Sequence, residues 1–397
     1  HDRLALLRQR VYALACGYED LNDHQPLRHD LAIQSAVERE EVLASSSTLC
    51  HWQNQANRPT AWPIHQVMIE RFMASFEQAP KELILDFGAT DDVVHGKQEG
   101  RFFHGYHDHY CFLPLYVFCQ DQLLVSYLRP SNIEGAKHAW AILSLLVKRF
   151  RQSWPAVRII FRGDSGFCRR RMLIGCERHE VGYIVGIAQN KRLNEISAQW
   201  QQTAEKQYAA SGGKVRWFNE FQYAARSWKR LRRIIVKMEY TEKDSNPRYV
   251  VTHLTGKPQF LYEKLYCARG EMENRIKEQQ LDLFADRTRC HHWWSNQFRL
   301  LLSSLAYILL ETIRRIALQG TELAQAYVST LRLKLIKIGA VILRHTRRIR
   351  FLLASSCPYQ KPFFLVAARL TSGSFISRIR HCRLPHKIAM GWMGYAY

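Results

Sequence analysis

None of the ten cysteines in this 397-residue chain forms a CxxC pair, which excludes the common tetrahedral zinc patterns. The pairs Cys111/Cys119 and Cys168/Cys176 are spaced by eight, a spacing that fits no zinc site. Scattered thiols of this kind suit reduced, partly buried cysteines of a cytosolic protein. No signal-peptide pattern is present. The longest apolar run, Leu300 to Leu310, contains Ser303 and Ser304 and is closed by Arg299 and Glu311. It is too short to span a bilayer, so no membrane partner is expected. There is no internal repeat and no low-complexity linker. The first residue is His1 rather than Met, and the expectation is a fragment that lacks an N-terminal portion. The most telling absence is acidic: from Leu323 to Tyr397 there is no Asp or Glu, against 13 Lys and Arg.

The whole chain shares that bias. It carries 57 Lys+Arg against 35 Asp+Glu, a formal charge of +22 and a pI near 9.7. Such an excess favours a phosphate backbone through counterion release, and would also suit ribosomal RNA or an anionic surface. Hydrophobic content of 47% and charged content of 23% describe a globular chain with a real core, long enough for two or three domains or for one domain with an insert.

Residues 1–78 read as a helical N-terminal region, with Leu4, Leu7, Val11 and Leu14 at helical spacing. Residues 79–196 read as an α/β core. It contains strands at Leu83–Asp86, Tyr110–Cys119, Gln122–Leu128, Val157–Phe161 and Val181–Ile187, with helices at Ala136–Phe150 and Arg169–Arg178. This order predicts a mixed sheet with crossover helices. Residues 197–262 read as an insertion of antiparallel strands around Trp217–Tyr223, Arg233–Tyr240 and Tyr249–Leu254. Residues 263–320 return to helix and to the core. The basic region 321–397 is predicted helical, with one long helix over Glu322–Ala354.

Three acids stand out against the basic background. Asp86 ends the run Leu83-Ile84-Leu85-Asp86, Asp164 ends Val157-Arg158-Ile159-Ile160-Phe161-Arg162-Gly163-Asp164, and Glu273 opens a helical segment. Carboxylates at strand ends and on a neighbouring helix can hold two divalent ions against a phosphodiester. The competing reading makes Asp164 a cap for the turn that follows it. It makes Glu271 and Glu273 ordinary first-turn acids.

The ordered segments Leu85-Asp86-Phe87-Gly88-Ala89-Thr90-Asp91-Asp92, Gln98-Glu99-Gly100-Arg101-Phe102-Phe103-His104-Gly105-Tyr106, Leu128-Arg129-Pro130-Ser131-Asn132 and Phe161-Arg162-Gly163-Asp164-Ser165-Gly166-Phe167 resemble a DDE-type transposase. The family resembled is insertion sequence thirteen-eighty, within the insertion-sequence-four-like cluster. The resemblance covers most of residues 10–320. It implies a ribonuclease H-like mixed sheet flanked by helices, with Asp86, Asp164 and Glu273 as catalytic and metal-binding residues. It also implies two Mg²⁺ or Mn²⁺ ions, and cut-and-paste cleavage at transposon ends followed by strand transfer. The implied partners are double-stranded DNA, both terminal inverted repeats and target, and a second copy of the chain in a homodimer on DNA. The implied location is the bacterial cytoplasm, at the nucleoid. Two other outcomes stay open: an impaired copy that only binds DNA, and a ribonuclease H-like nuclease without strand transfer.

The cluster's Tyr–Arg–Glu–Lys signature falls on Tyr266, Arg269 and Glu273, with Gln280 where the lysine is expected and Lys277 one turn after Glu273. Residue 88 shares a strand face with residue 86. The family's pattern carries an acid where this chain has Gly88, so the resemblance implies that the first metal ligand is either Asp86 or an acid that Gly88 has replaced, with Asp91 and Asp92 as further substitutes. Candidate DNA contacts are Tyr266, Arg269, Lys277, the run Arg169-Arg170-Arg171, and Arg344, Arg347 and Arg348. Trp217 and Trp228 are candidates for stacking on a base, sheet packing being the competing reading. His104, His107 and His109, and likewise Cys290-His291-His292, fit surface segments better than metal sites.

Overall fold

The computed structural model describes residues 1–242, 244–345, 348–371 and 387–393. The chain divides into two units, one of His65–Ile276 and one of His1–Ile64 with Lys277–Tyr397. The five segments expected from the sequence are thus regrouped. The boundary near residue 276 falls inside the helix Gly270–Leu283, which also carries Glu273.

The unit His65–Ile276 is built on a mixed sheet. Its strands are β1 (Glu82–Ala89), then β2 (Asp92–Val93), β3 (Phe102–His104) and β4 (His109–Phe112), which form a separate small sheet, then β5 (Leu115–Cys119), β6 (Gln122–Tyr127), β7 (Arg158–Gly163), β8 (Gly182–Ile187), β9 (Val215–Tyr223), β10 (Arg232–Thr241), β11 (Asp244–Ser245) and β12 (Arg248–Thr252). The main order is β11-β10-β12-β8-β7-β1-β5-β6, with β9 beside β10. β1, β7 and β8 are parallel, and the other pairs are antiparallel. The expected run Tyr110–Cys119 is split between β4 and β5, because Pro114 has no N–H for a continuous ladder.

The segment expected as an inserted β region begins instead with the helix Lys191–Ser211. Asn190 caps it by accepting from the Leu193 N–H at 3.1 Å. The strands that follow do not form a body of their own. β12 pairs antiparallel with β8 and extends the central sheet.

Alternation along β1 sorts its side chains. Leu83, Leu85 and Phe87 join the larger core with Leu143, Leu146 and Phe150 of the helix Ala139–Ser153. Ile84 faces the other way, into a cluster with Ile160, Ile184, Leu261 and Tyr262. Asp86 and Gly88 follow Ile84 by the period of two. Asp164 therefore stands directly at the end of β7, whereas Asp86 lies inside β1, which continues to Ala89.

In the other unit, helices Arg3–Cys16 and Trp293–Thr312 are the long elements. Asp2 caps the first of them and Gly17 ends it at φ +90°. The long helix expected over Glu322–Ala354 is not formed. After short helical turns at Val328–Ile336 the chain enters β13 (Ala340–His345) and β14 (Arg348–Ala354), and β15 (Lys387–Met393) pairs with β14. Gly339 interrupts the helical period, and Arg348-Ile349-Arg350-Phe351-Leu352-Leu353 then alternates. Ile349 and Leu353 are buried on one face, which is strand logic. A helix follows at Gln360–Thr371. Among the described residues no helix is long and apolar enough to cross a membrane.

Candidate active site

Asp164 stands directly after β7 and caps the short turn Ser165–Phe167, accepting from the Gly166 N–H at 2.8 Å through Oδ1. Its second oxygen, Oδ2, accepts from Arg269 Nη2 at 2.9 Å. Arg269 Nη1 donates to Glu273 Oε1, one helical turn further on. One guanidinium therefore bridges Asp164 and Glu273. The bridge is open to solvent at its acidic ends: Asp164 and Glu273 side chains are 38% and 52% exposed, Arg269 only 14%. Arg269 Nε is screened from solvent and has no partner among the described residues.

Tyr266 lies beside this bridge. A Cβ built on Gly186 would meet the Tyr266 hydroxyl at 2.6 Å and the Ser165 nitrogen at 3.0 Å. Gly186 is what lets the phenol approach the backbone at Asp164. Burial pushes the Tyr266 phenol above its ordinary range, Arg269 pulling it down while Asp164 and Glu273 add to the rise.

Asp86 belongs to a different arrangement. It is level with Arg162 on β7, and its two carboxylate oxygens accept from Arg162 Nε and, at 2.5 Å, from Nη2. Arg162 Nη1 donates to the Leu265 carbonyl, next to Tyr266. Both side chains are buried, at 2% and 7% exposure. Burial pushes the Asp86 carboxyl up against the pull of the Arg162 hydrogen bonds. The expected trio is thus divided, Asp164 and Glu273 sharing Arg269 while Asp86 is held by Arg162. Sequence reasoning missed Arg162, although a charged residue that directly follows the apolar run Ile159-Ile160-Phe161 within one buried strand must find a buried partner.

The other candidates separate by exposure. Trp228 is 9% exposed, edge-on to Tyr223 at 5.8 Å and under the Arg232 guanidinium at 4.9 Å. It is a core residue, with no free face for a base. Trp217 is 45% exposed, its indole N–H donating to Gln207 at 3.0 Å. It lines a cleft of about 800 Å³ with Lys214, Arg216 and Lys257. Arg169, Arg170 and Arg171 are exposed, Arg169 lying 3.4 Å from Glu134. Lys277 and Arg348 are exposed. Arg344 donates to the Glu40 carbonyl at 3.0 Å and to Gln34. Arg347 lies outside the described residues. Asp92 is buried in β2, and Asp91 pairs with His107 and His109.

The family described as "Transposase DDE domain group 1" matches residues 1–374. The chain belongs to this family. Among solved structures it is similar to a piggyBac transposase in a synaptic complex with hairpin DNA, at 11% identity and a TM-score of 0.46, over 83% of this chain and 69% of that one. No curated protein matches.

DDE transposases as a family are nucleotidyl-transfer enzymes that use divalent metal ions. Such ions need carboxylate oxygens that converge and are free to bind. Here both oxygens of Asp86 are held in a buried pair with Arg162, so that of the three expected acids only Asp164 and Glu273 converge, around Arg269. Glu273 is bound to the same Arg269. Among the described residues no group of three or more His, Cys, Asp or Glu is arranged to hold a metal ion, and this includes both histidine clusters. The side chains present do not fit a pair of Mg²⁺ or Mn²⁺ ions.

Proposed function

We propose that the chain is a DNA transposase of the insertion-sequence thirteen-eighty family on a ribonuclease H-like core, and that this copy binds transposon-end duplexes without cutting them. The observation that carries this reading is the division of the acids between two arginines. Cleavage of the ends and joining to target DNA would need a third acid beside Asp164 and Glu273. Asp86 is committed to Arg162.

DNA binding uses what is left open. Arg269 is already oriented by two carboxylates, and a backbone phosphate can replace either of them as its partner through charge-assisted hydrogen bonds. Arg169, Arg170 and Arg171 follow Asp164 in the chain and stand exposed, suited to further phosphates that fix position rather than sequence. Trp217, exposed beside Lys214 and Lys257, offers an aromatic face to an unpaired base. The net charge of +22 supports tight but salt-sensitive association. Dimerisation on two ends and a location at the nucleoid follow from the same reading.

The test is incubation of the full chain with labelled transposon-end duplex and Mg²⁺. Retarded DNA that stays unnicked is the expected result. Nicked or joined product would restore the cleaving enzyme, and absence of retardation would remove the DNA reading.

A further inference from the structure

We infer that residue 88 is the position from which a third carboxylate would complete a metal site with Asp164 and Glu273, and that Gly88 is the lesion in this copy. The inference rests on the transposase reading above.

Register carries it. β1 and β7 run parallel with Asp86 level with Arg162 and Phe87 level with Gly163. The next step places Gly88 level with Asp164. The Asp164 backbone is still extended, at φ −78° and ψ −174°, so the alternation of faces continues through it. Level residues of adjacent parallel strands emerge on the same face, and the Asp86–Arg162 pair identifies which face this is. Residues 88 and 164 therefore share it, on strands about 4.8 Å apart.

The third element closes over the same spot. A Cβ built on Gly88 meets Met272 Cε at 2.7 Å and Ile276 Cδ1 at 3.0 Å, both on the helix that carries Glu273. Met272 is 1% exposed and immediately precedes Glu273. Its methyl fills the volume a side chain at 88 would take. The contact is with the far end of a flexible side chain, which can withdraw. Asp86 cannot stand in for the absent group. It lies two residues back along the strand, and releasing it would strand a buried guanidinium.

The test is Mn²⁺ titration of the full chain, followed by electron paramagnetic resonance of the free ion and by calorimetry. Duplex-DNA binding is measured in parallel by fluorescence anisotropy. The proteins are the wild type, Gly88→Asp, and Gly88→Asp with Met272→Ala, which relieves crowding if the single variant folds poorly. The wild type is expected to show no saturable site. At least one Gly88→Asp protein should gain a saturable Mn²⁺ site that the wild type lacks, and adding Asp164→Asn should abolish that gain. Saturable binding by the wild type that Asp164→Asn removes would overturn the inference. So would the absence of any gain in both Gly88→Asp proteins. If the wild type fails to bind duplex DNA, the transposase reading fails by itself, and the metal comparison still decides the role of residue 88.

Discussion

The same unit holds two arginine–carboxylate clusters made of the same chemical groups, and they differ in burial. Asp86 and Arg162 are 2% and 7% exposed, closed on each other through two hydrogen bonds. Asp164 and Glu273 are 38% and 52% exposed around Arg269. In the first cluster neither charge can leave without stranding the other away from water. In the second, water or a phosphate can take over from either acid at little cost. Burial, rather than residue type, decides which pair is structural and which is available to a ligand.

The largest effect should come from breaking the closed pair. Asp86→Ala leaves Arg162 buried and uncompensated, and should lower the unfolding free energy by about 3–5 kcal/mol, read from the urea midpoint. Next in size is Arg269→Gln. Its stability should stay within about 1 kcal/mol of wild type, since its partners are half-exposed. Duplex-DNA affinity should fall roughly tenfold as a charge-assisted contact is lost. Glu273→Gln should act in the opposite direction. With one competing carboxylate removed from Arg269, DNA binding should tighten a few-fold at low salt, mainly in the association rate.

The smallest effect concerns a third cluster, which extends the comparison to the sheet edge. The Glu239 carboxyl is drawn down to about 2 by hydrogen bonds from Lys214 and Lys237, with Arg216 adding to the pull. A folded pKa below the ordinary 4.5 means stability that is present above pH 4.5 and lost as pH falls towards 2. Glu239→Gln should flatten that part of the pH–stability profile. An unchanged slope would show that the cluster contributes nothing measurable.

Much of the central sheet was legible in the sequence, because β1, β7 and β8 are short apolar runs bounded by turn residues. Asp164 was legible for the same reason, standing at a strand end before Ser165-Gly166. The role of Asp86 was not, since it depends on which residue of β7 lies level with it, and register between strands whose paired residues are 76 positions apart is set by packing. The two tryptophans make the same point. Trp217 and Trp228 look alike in sequence, yet one is exposed and the other is packed against Tyr223 and Arg232. The C-terminal error had a local cause. Lys and Arg at near-helical intervals masked the period-two alternation of Arg348–Ala354.

The most direct measurement is a double-mutant cycle on the full chain, with Asp86→Asn, Arg162→Met and the combination compared by urea unfolding. If Asp86 is the structural partner of Arg162, each single change is strongly destabilising and the pair together recovers much of the loss, with a coupling of about 2–3 kcal/mol. Additive effects, with Asp86→Asn unfolding at the wild-type midpoint, would contradict that assignment and return Asp86 to the candidate metal ligands.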